Sequence, residues 1–235
     1  MNIVVTGAAN GLGAALTTEL RAHGHQVARL DIALPEGPLV EEDGGLAQHF
    51  DVADAAAWEM LVAELGARGW TVDAVINNAG VGVYGPIATI KEEDWQHQLD
   101  VSLTGPWLSL KYLAPTLSDQ GVVLNIGSRR GLAAVAERSA YCAAKFGLRG
   151  LTLAAAAELP IKVGVVELDS MLTNFQGALA DKQRRAAAGE LFLDPVAVAK
   201  TIADILEGKQ PWQTEWRLRA TATNPQIETV TDQLW

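Results

Sequence analysis

The sequence predicts a doubly wound α/β fold, in which a parallel sheet carries helices on both faces. Short apolar runs recur along the chain with helix-length segments between them, which is a βαβ rhythm. These runs are apolar throughout rather than alternating, as expected of strands that are covered on both sides. No Pro- or Gly-rich linker and no internal repeat divides the 235 residues, so we expect one three-layer α/β/α domain.

The elements follow from the position of these runs. Six strands are predicted at residues 3–6, 26–31, 48–50, 72–77, 122–126 and 161–168. A seventh is predicted at residues 215–220, where Trp216 and Leu218 alternate with charged neighbours. Residues 34–45 mix Pro, Gly and acidic residues and are expected to form a loop. The Ala-, Lys- and Arg-rich segment at about residues 174–193 is a candidate substrate lid.

Two predicted helices carry apolar residues over more than one face. They span residues 95–113 and 139–159. A helix that packs on the sheet with one side and on a second copy with the other needs such a pattern. We therefore expect a homodimer or a homotetramer.

Composition and charge exclude several classes of protein. Asp and Glu number 28 against 18 Lys and Arg, so the net charge is −10, the wrong sign for binding nucleic acid or an anionic membrane. The chain lacks an apolar run of about 18 residues and a basic segment after Met1, which favours a cytoplasmic protein. Cys142 is the single cysteine, and neither a disulfide nor a metal site is expected.

A glycine-rich turn, TGAANGLG at residues 6–13, follows the first strand and precedes a helix. Such glycines let the backbone approach a pyrophosphate, which then lies against the free N–H groups at the helix N-terminus. The spacing differs from the usual dinucleotide-binding pattern, so the turn needs corroboration. Its candidate cofactor-binding residues are Thr6, Gly7, Asn10, Gly11, Leu12 and Gly13.

Asp31 ends the second strand and supplies that corroboration. A carboxylate there accepts hydrogen bonds from both adenosine ribose hydroxyls and repels a 2′-phosphate. Asn10 leaves the loop without a Lys or Arg for such a phosphate, so NAD is favoured over NADP. The alternative is that Asp31 only caps a turn.

Two further strand ends carry candidate cofactor-binding residues. Asp51 and Val52 follow the third strand, and the carboxylate is expected to hold the adenine amino group unless it caps the next helix. Asn78, Ala79 and Gly80 follow the fourth strand, where small residues leave room for a ribose; the alternative is a plain turn.

Tyr141 and Lys145 are the centre of the predicted chemistry. At spacing i and i+4 they lie on one helix face, and a nearby ammonium favours the phenolate of a tyrosine whose ordinary pKa is about 10. The alternative is an ordinary helix-surface pair. Ser128 ends the fifth strand, so its hydroxyl projects from the edge of the sheet at which ligands bind. We predict Ser128, Tyr141 and Lys145 as the catalytic residues.

Taken together, these residues resemble the short-chain dehydrogenase/reductase family in its compact, single-domain Rossmann form. The resemblance covers about residues 1–175. It implies an NAD(H)-dependent oxidoreductase that interconverts an alcohol and a carbonyl by hydride transfer. It also implies that Tyr141 is the general acid/base, that Lys145 lowers its pKa and holds the nicotinamide ribose, and that Ser128 binds the substrate oxygen. Thr173 corresponds to a threonine that meets the carboxamide.

Two positions depart from the family pattern. Ser102 stands where an Asn usually takes part in a water-mediated proton relay, and Leu168-Asp169 replaces a Pro-Gly pair. These departures keep open the alternative of a nucleotide-binding sensor or scaffold of the same fold without turnover. A sugar-nucleotide epimerase or dehydratase ranks last, because it would need a larger C-terminal substrate domain.

Three arginines, Arg129, Arg130 and Arg138, lie within ten residues of Ser128. An arginine fork binds a carboxylate or phosphate, so they favour an anionic substrate. Arg130 is the preferred residue, because two residues after Ser128 it lies on the same side of an extended segment. The alternative is that the arginines are solvated or pair with Glu137 and Asp169.

Overall fold

The computed structural model describes residues 1–42, 44–221 and 225–228. A nine-stranded sheet has the order β3-β4-β2-β1-β5-β6-β7-β8-β9. The strands are β1 (Asn2–Thr6), β2 (Gln26–Asp31), β3 (Val40–Glu42), β4 (Gly45–His49), β5 (Ala74–Asn77), β6 (Val122–Ile126), β7 (Lys162–Leu168), β8 (Glu215–Arg219) and β9 (Gln226–Glu228). The helices are α1 (Gly11–Ala22), α2 (Ala55–Ala67), α3 (Glu92–Leu99), α4 (Gly105–Leu113), α5 (Ser139–Glu158), α6 (Leu179–Ala187) and α7 (Pro195–Leu206).

The predicted doubly wound α/β fold is confirmed. The seven strands from β4 to β8 in the sheet order are parallel, and only the edge strands β3 and β9 run antiparallel to their neighbours. From β1 the chain builds outward through β2 and β4, then returns to β5 on the other side of β1 and builds through β6, β7 and β8. The carboxyl ends of β1 and β5 therefore meet at the point where the strand order reverses, which is where such sheets open a binding crevice.

Helices cover both faces of the sheet, each over its own hydrophobic core. One core joins α1 and α7 to the sheet, and the other joins α2, α4 and α5. The largest fully buried side chain of the second core, Trp58, donates its Nε1–H to the carbonyl of Val52 at 2.8 Å and ties α2 to the end of β4. Burial on both faces explains why the central strands read as uninterrupted apolar runs.

The sequence misplaced the third strand and missed β3. The strand predicted at residues 48–50 is β4 (Gly45–His49), which begins with a glycine whose added Cβ would lie 2.1 Å from the carbonyl oxygen of Val27. The loop predicted at residues 34–45 contains β3, an edge strand of two glutamates and a valine. Glu42 pairs there with Arg21 and Arg29, so backbone pairing with β4 and charge, rather than an apolar pattern, hold this strand in place.

The helix predicted at residues 95–113 is a continuous helical run with an irregular centre. Helix α3 passes into α4 through a π-helical turn at Asp100–Thr104. Pro106 lies just after this turn and lacks the N–H that would bond to the carbonyl of Ser102. The widened turn places Ser102 in the protein interior.

The candidate lid is an ordered excursion from the body. It contains a short helical turn at Phe175–Gly177 and helix α6, and its base is closed by paired backbone bonds between Leu172, Leu193 and Ser170. The C-terminal tryptophans Trp212 and Trp216 pack edge to face at 4.8 Å within the domain, whereas Trp235 lies outside the described residues. Within the ranges given above, none of the helices is both long enough and apolar enough to cross a membrane.

Candidate active site

A cleft of about 1040 Å³ opens at the carboxyl ends of the parallel strands and runs from the glycine-rich loop to α6. It gathers almost all the predicted site residues into one space. Those that line it are Gly7, Asn10, Gly11, Leu12, Asp31, Asp51, Val52, Asn78, Ala79, Gly80, Ser128, Tyr141, Lys145 and Thr173. Thr6 and Gly13 lie behind this surface and shape the loop.

The glycine-rich loop is held against the end of β5. The hydroxyl oxygen of Thr6 accepts hydrogen bonds from the backbone N–H groups of Asn78 (3.1 Å) and Ala79 (3.0 Å). The side-chain amide of Asn78 donates to the carbonyls of Thr6 (3.0 Å) and Gly7 (2.9 Å). A Cβ on Gly13 would lie 2.0 Å from the carbonyl oxygen of Gly7, so only glycine allows α1 to approach this closely. Thr6, Gly13 and Asn78 therefore hold the glycine-rich loop against the end of β5.

The N-terminus of α1 faces the cleft without a side-chain cap. Asn10 is the N-cap residue but makes no side-chain hydrogen bond to the helix, and the first turn holds no acidic residue. The unpaired N–H groups and the positive end of the helix dipole are therefore available to an anion.

Asp31 and Asp51, which line the cleft, accept different backbone hydrogen bonds. Asp31 accepts hydrogen bonds from the backbone N–H of Ala9 through Oδ2 and from that of Ala33 through Oδ1, both at 2.8 Å. Asp31 thus caps a turn, which was the alternative given for it in the sequence, and it also borders the cleft. Asp51 accepts from the N–H of Ala53 at 2.9 Å, whereas Asp54 caps α2. Asp51 consequently remains at the cleft rather than serving as the helix cap.

Tyr141 lies on the first turn of α5 in an aromatic enclosure. Its ring packs edge to face on that of Tyr84, with centroids 5.7 Å apart. The ring centroid of Phe175, in the short helical turn before α6, lies 6.3 Å from that of Tyr141. The side chain is 9% exposed. Burial raises the pKa of the Tyr141 phenol above its ordinary value, and this effect exceeds the opposing effect of its hydrogen bond with Ser128.

Lys145 lies one turn further along α5, buried below Tyr141. Its Nζ is 5.9 Å from the centroid of the Tyr141 ring and donates a hydrogen bond to the carbonyl of Ile126 at 2.8 Å. Burial lowers the pKa of Lys145 to about 8, although the nearby carboxyl of Glu167 acts in the opposite direction. The predicted Tyr–Lys pair is therefore present on one helix face, with Ser128 beside it.

Glu167 is a site residue that the sequence analysis missed. It lies in β7 with no exposed surface, and its Oε2 accepts a 2.6 Å hydrogen bond from the backbone N–H of Ser128. Its Oε1 has no hydrogen-bond partner in the part of the chain that is described. Burial raises the pKa of Glu167 to about 7, with Lys145 and the Ser128 amide opposing. The sequence did contain a signal for this residue, because Glu167 is the one acidic residue within the apolar run of the sixth predicted strand.

The two departures from the family pattern have structural explanations. Ser102 is buried, and its hydroxyl oxygen accepts hydrogen bonds from Nε2 of Gln98 at 2.8 Å and from the N–H of Val81 at 3.4 Å. It therefore anchors the loop that follows β5. Asp169 forms ion pairs with Arg219 (3.0 Å) and Arg129 (3.5 Å), so the carboxylate introduced near the expected nicotinamide position is neutralised.

The three candidate substrate arginines all border the cleft, but only one of them has a carboxylate partner. Arg129 pairs with Asp169, as the alternative reading predicted. Arg130 bonds the carbonyl of Ala133 at 3.4 Å, and Arg138 stacks over the Tyr84 ring at 4.3 Å. Neither of these two forms an ion pair with a described residue. The described residues also contain no cluster of His, Cys, Asp and Glu suited to a metal ion.

A switch-point cleft with a glycine-rich cradle and a Ser, Tyr and Lys set defines the class of short-chain oxidoreductases. A family model described as short chain dehydrogenase matches residues 1–184. The chain belongs to the short-chain dehydrogenase/reductase family, which confirms the resemblance predicted from the sequence. Its members act on alcohols and carbonyls of small molecules.

Relatives and solved structures agree with this membership. The chain is 31% identical to the trans-4-hydroxycyclohexanecarboxylate dehydrogenase of Sinomonas cyclohexanicum over 86% of this chain and 83% of that protein. It is 34% identical to a 3-alpha-(or 20-beta)-hydroxysteroid dehydrogenase of Mycobacterium tuberculosis over 66% of this chain and 62% of that protein.

Among solved structures, a short-chain dehydrogenase from Streptomyces avermitilis matches with 26% identity and a TM-score of 0.76, covering 92% of this chain and 86% of that one. A serine dehydrogenase solved with NADP⁺ has a TM-score of 0.81 at 21% identity and covers the whole of both chains, which shows a shared fold. Neighbours have been solved with NADH and with NADP⁺, so they do not choose between the two cofactors.

Proposed function

We propose that this protein is an NAD(H)-dependent oxidoreductase that interconverts an alcohol and a carbonyl, with Tyr141 as the general acid/base. The observation that carries the proposal is the placement of Ser128, Tyr141 and Lys145 in the same cleft as the uncapped N-terminus of α1. A nucleotide cradle and a proton-transfer group that share one cleft are what hydride transfer coupled to proton transfer requires.

The residues present fit a nicotinamide dinucleotide. The N–H groups of α1 would bind its pyrophosphate, Asp31 its adenosine ribose, and Lys145 its nicotinamide ribose. When bound, the cofactor supplies the hydride acceptor or donor. Among the described cleft residues around Asp31, from Gly7 to Leu12 and from Ile32 to Val52, none is Lys or Arg. This supports NAD over NADP, because a 2′-phosphate beside Asp31 would meet a carboxylate and no compensating cation.

The proton chemistry follows from the environment of Tyr141. The hydroxyl of Ser128 holds the substrate oxygen, and the Tyr141 phenol donates its proton to a carbonyl oxygen in reduction or accepts the alcohol proton in oxidation. Burial alone keeps Tyr141 protonated, which suits the reductive direction. Oxidation needs a nearby positive charge to favour the phenolate. The charge of Arg138 acts in this direction on the pKa of Tyr141, and the Lys145 ammonium, with Nζ 5.9 Å from the ring centroid, is proposed to add to it.

The substrate end of the cleft is lined by aromatic rings. Tyr84 and Phe175 both pack against Tyr141, so an apolar carbon skeleton fits beside the reacting oxygen. The relative from Sinomonas cyclohexanicum acts, by its name, on a hydroxylated ring compound, and a small compound of this size is proposed here too.

A turnover screen tests the proposal. Purified protein is incubated with NAD⁺ or NADP⁺ and a panel of alcohols, hydroxy acids and sugars, and the reduced cofactor is followed by absorbance. If the parent protein turns over a panel member and the Tyr141→Phe variant does not, the result supports an oxidoreductase with Tyr141 as the general acid/base. Tight cofactor binding without turnover on any panel member would instead support the alternative of a nucleotide-binding sensor or scaffold, which no observation so far favours.

The assembly and the location of the protein remain proposals. Large apolar side chains are exposed on α3, α4 and α5, which supports a second copy packing there in a homodimer or homotetramer. We also propose that the protein is cytoplasmic and binds neither nucleic acid nor membranes, which is a prediction from charge and composition.

A further inference from the structure

We infer that the substrate carries a carboxylate on an apolar skeleton and that Arg138 and Lys182 bind this carboxylate at the mouth of the cleft. The inference rests on the proposed function and names the substrate class for the same site. It is carried by two cations, Arg138 and Lys182, that line the cleft of Tyr141 from different elements and have no carboxylate partner among the residues described.

Arg138 lies at the N-cap of α5, three residues before Tyr141. It is half-buried at the cleft, and its guanidinium carbon lies 4.3 Å from the ring centroid of Tyr84. This stacking fixes the plane of the guanidinium and leaves its N–H donors free for a planar anion. The side chain is thus preorganised beside the ring that packs on Tyr141.

Lys182 reaches the same region from α6, in the candidate lid. Its Nζ donates a 3.2 Å hydrogen bond to the carbonyl of Thr173 and forms no ion pair with any described residue. Burial lowers the pKa of Lys182, and the positive charges of Arg138 and Arg185 lower it further. Arg138, Lys182 and Arg185 all line this cleft.

The neighbouring cations show the contrast. Arg185 on the same helix bonds to Glu190 and Asp181, and Arg129 pairs with Asp169. In a chain with a net charge of −10, carboxylates are abundant, yet Arg138 and Lys182 line the cleft without an ion pair among the described residues, as does Arg130, which bonds the carbonyl of Ala133. Holding two half-buried like charges together costs free energy, and an anion between them would relieve that repulsion.

The shape of the site selects the anion. The aromatic rings of Tyr84, Tyr141 and Phe175 pack together in the cleft that Arg138 and Lys182 also line. A molecule that places its carbonyl at Tyr141 and its carboxylate at Arg138 would fill this space with carbon. Because Lys182 is on α6, the same carboxylate would also hold the lid segment against the body.

Binding to the NADH-loaded protein tests the inference without depending on turnover. Small keto acids from pyruvate to 4-oxocyclohexanecarboxylate are titrated into the NADH-loaded Tyr141→Phe variant, in which turnover is suppressed, each beside its methyl ester, and quenching of cofactor fluorescence is measured. The further substitutions are made in the same background. We expect at least one keto acid to bind about tenfold more tightly than its ester, as a charge-assisted hydrogen bond would give. Lys182→Gln should remove most of this preference, and Arg138→Gln should remove it as well.

Arg184→Gln is the matched control. Arg184 lies on the same helix, is mostly exposed and does not border the cleft, so the control should keep the preference for the acid. Equal binding of every acid and ester, no binding of any keto acid, or an equal loss in the control would overturn the inference. Failure of NADH itself to bind would overturn the proposed function instead, so the two failures are distinguishable.

Discussion

The backbone N–H of Ser128 donates a 2.6 Å hydrogen bond to Oε2 of Glu167, so a buried carboxyl group supports the residue that is proposed to hold the substrate oxygen. Glycine makes this contact possible. A Cβ on Gly127 would lie 2.4 Å from Oε2, and one on Gly131 would lie 3.1 Å from Oε1. The two glycines that flank Ser128 thus leave room for an acid that faces the Lys145 charge.

Glu167 should make the stability of the protein depend on pH. Its folded-state pKa is about 7, above the usual value, so the folded state binds more protons than the unfolded state between about pH 4.5 and 7. The free energy of unfolding contributed by this group should therefore fall as pH rises through that window, by about 1–3 kcal/mol. Urea denaturation at pH 5, 6, 7 and 8 measures it.

Glu167→Gln should flatten this dependence, because the amide does not ionise. Glu158→Gln, an exposed glutamate at the end of α5, is the control and should keep the slope of the parent protein. Identical slopes in all three proteins would show that Glu167 does not titrate in this range.

Gly13→Ala should abolish cofactor binding and destabilise the fold. Its Cβ would collide with the backbone carbonyl of Gly7, which cannot move without displacing the loop that Asn78 and Thr6 hold. We expect a loss of several kcal/mol, in the range of severe overpacking. Gly66→Ala in α2 is the matched control, because its Cβ meets nothing within 4 Å; it should raise stability by about 0.5–1 kcal/mol. Thermal unfolding with and without NADH compares them.

Asp31 should make the protein prefer NADH over NADPH by about a hundredfold, through repulsion and lost hydrogen bonds with a 2′-phosphate. Asp31→Ser should weaken NADH binding and narrow the preference. It should also cost about 1–2 kcal/mol of stability, because the N–H groups of Ala9 and Ala33 lose their acceptor. Fluorescence titration and urea denaturation give the two quantities. Equal affinities in the parent protein would mean that Asp31 only caps its turn.

Tyr141→Phe should retain NADH binding and the fold while lowering turnover by at least about a hundredfold. The ring contacts with Tyr84 and Phe175 survive the change, so only the hydroxyl is lost. Tyr112→Phe, at a partly buried position packed against the second core and outside the cleft lining, should leave turnover unchanged. Lys145→Ala should weaken both cofactor binding and turnover. Retained turnover in Tyr141→Phe would remove the tyrosine from the proton-transfer step.

The sequence sufficed for the parts of the fold that are set by local pattern. β1, β2, β6 and β7 are buried on both faces, so their apolar runs identify them. β3 was missed because it is a short edge strand without an apolar run, defined by pairing with β4 and by the ion pairs of Glu42 with Arg21 and Arg29. The sequence predicted a lid segment at about residues 174–193 but not the helix α6 within it. This helix has no buried residue, so it lacks the apolar periodicity by which a helix is recognised.

The same distinction applies to the site. Tyr141 and Lys145 are one helical turn apart, so their pairing is readable from spacing. Glu167 reaches Ser128 only because β6 and β7 are neighbours, and that adjacency is a property of the sheet. Lys182 reaches the mouth of the cleft through a folded excursion, which no local pattern specifies.

The exposed apolar residues of α3, α4 and α5 lead to the prediction of an oligomer. Trp95, Trp107 and Phe146 are 37%, 45% and 44% exposed, whereas the opposite sides of these helices pack on the body. Light scattering at micromolar concentration should give a multiple of the 25.0 kDa chain mass. Phe146→Glu should shift the protein toward a single chain, because a buried unpaired carboxylate opposes association. Met60→Glu, on α2 and 62% exposed, should not. A mass of one chain for the parent protein would refute the prediction.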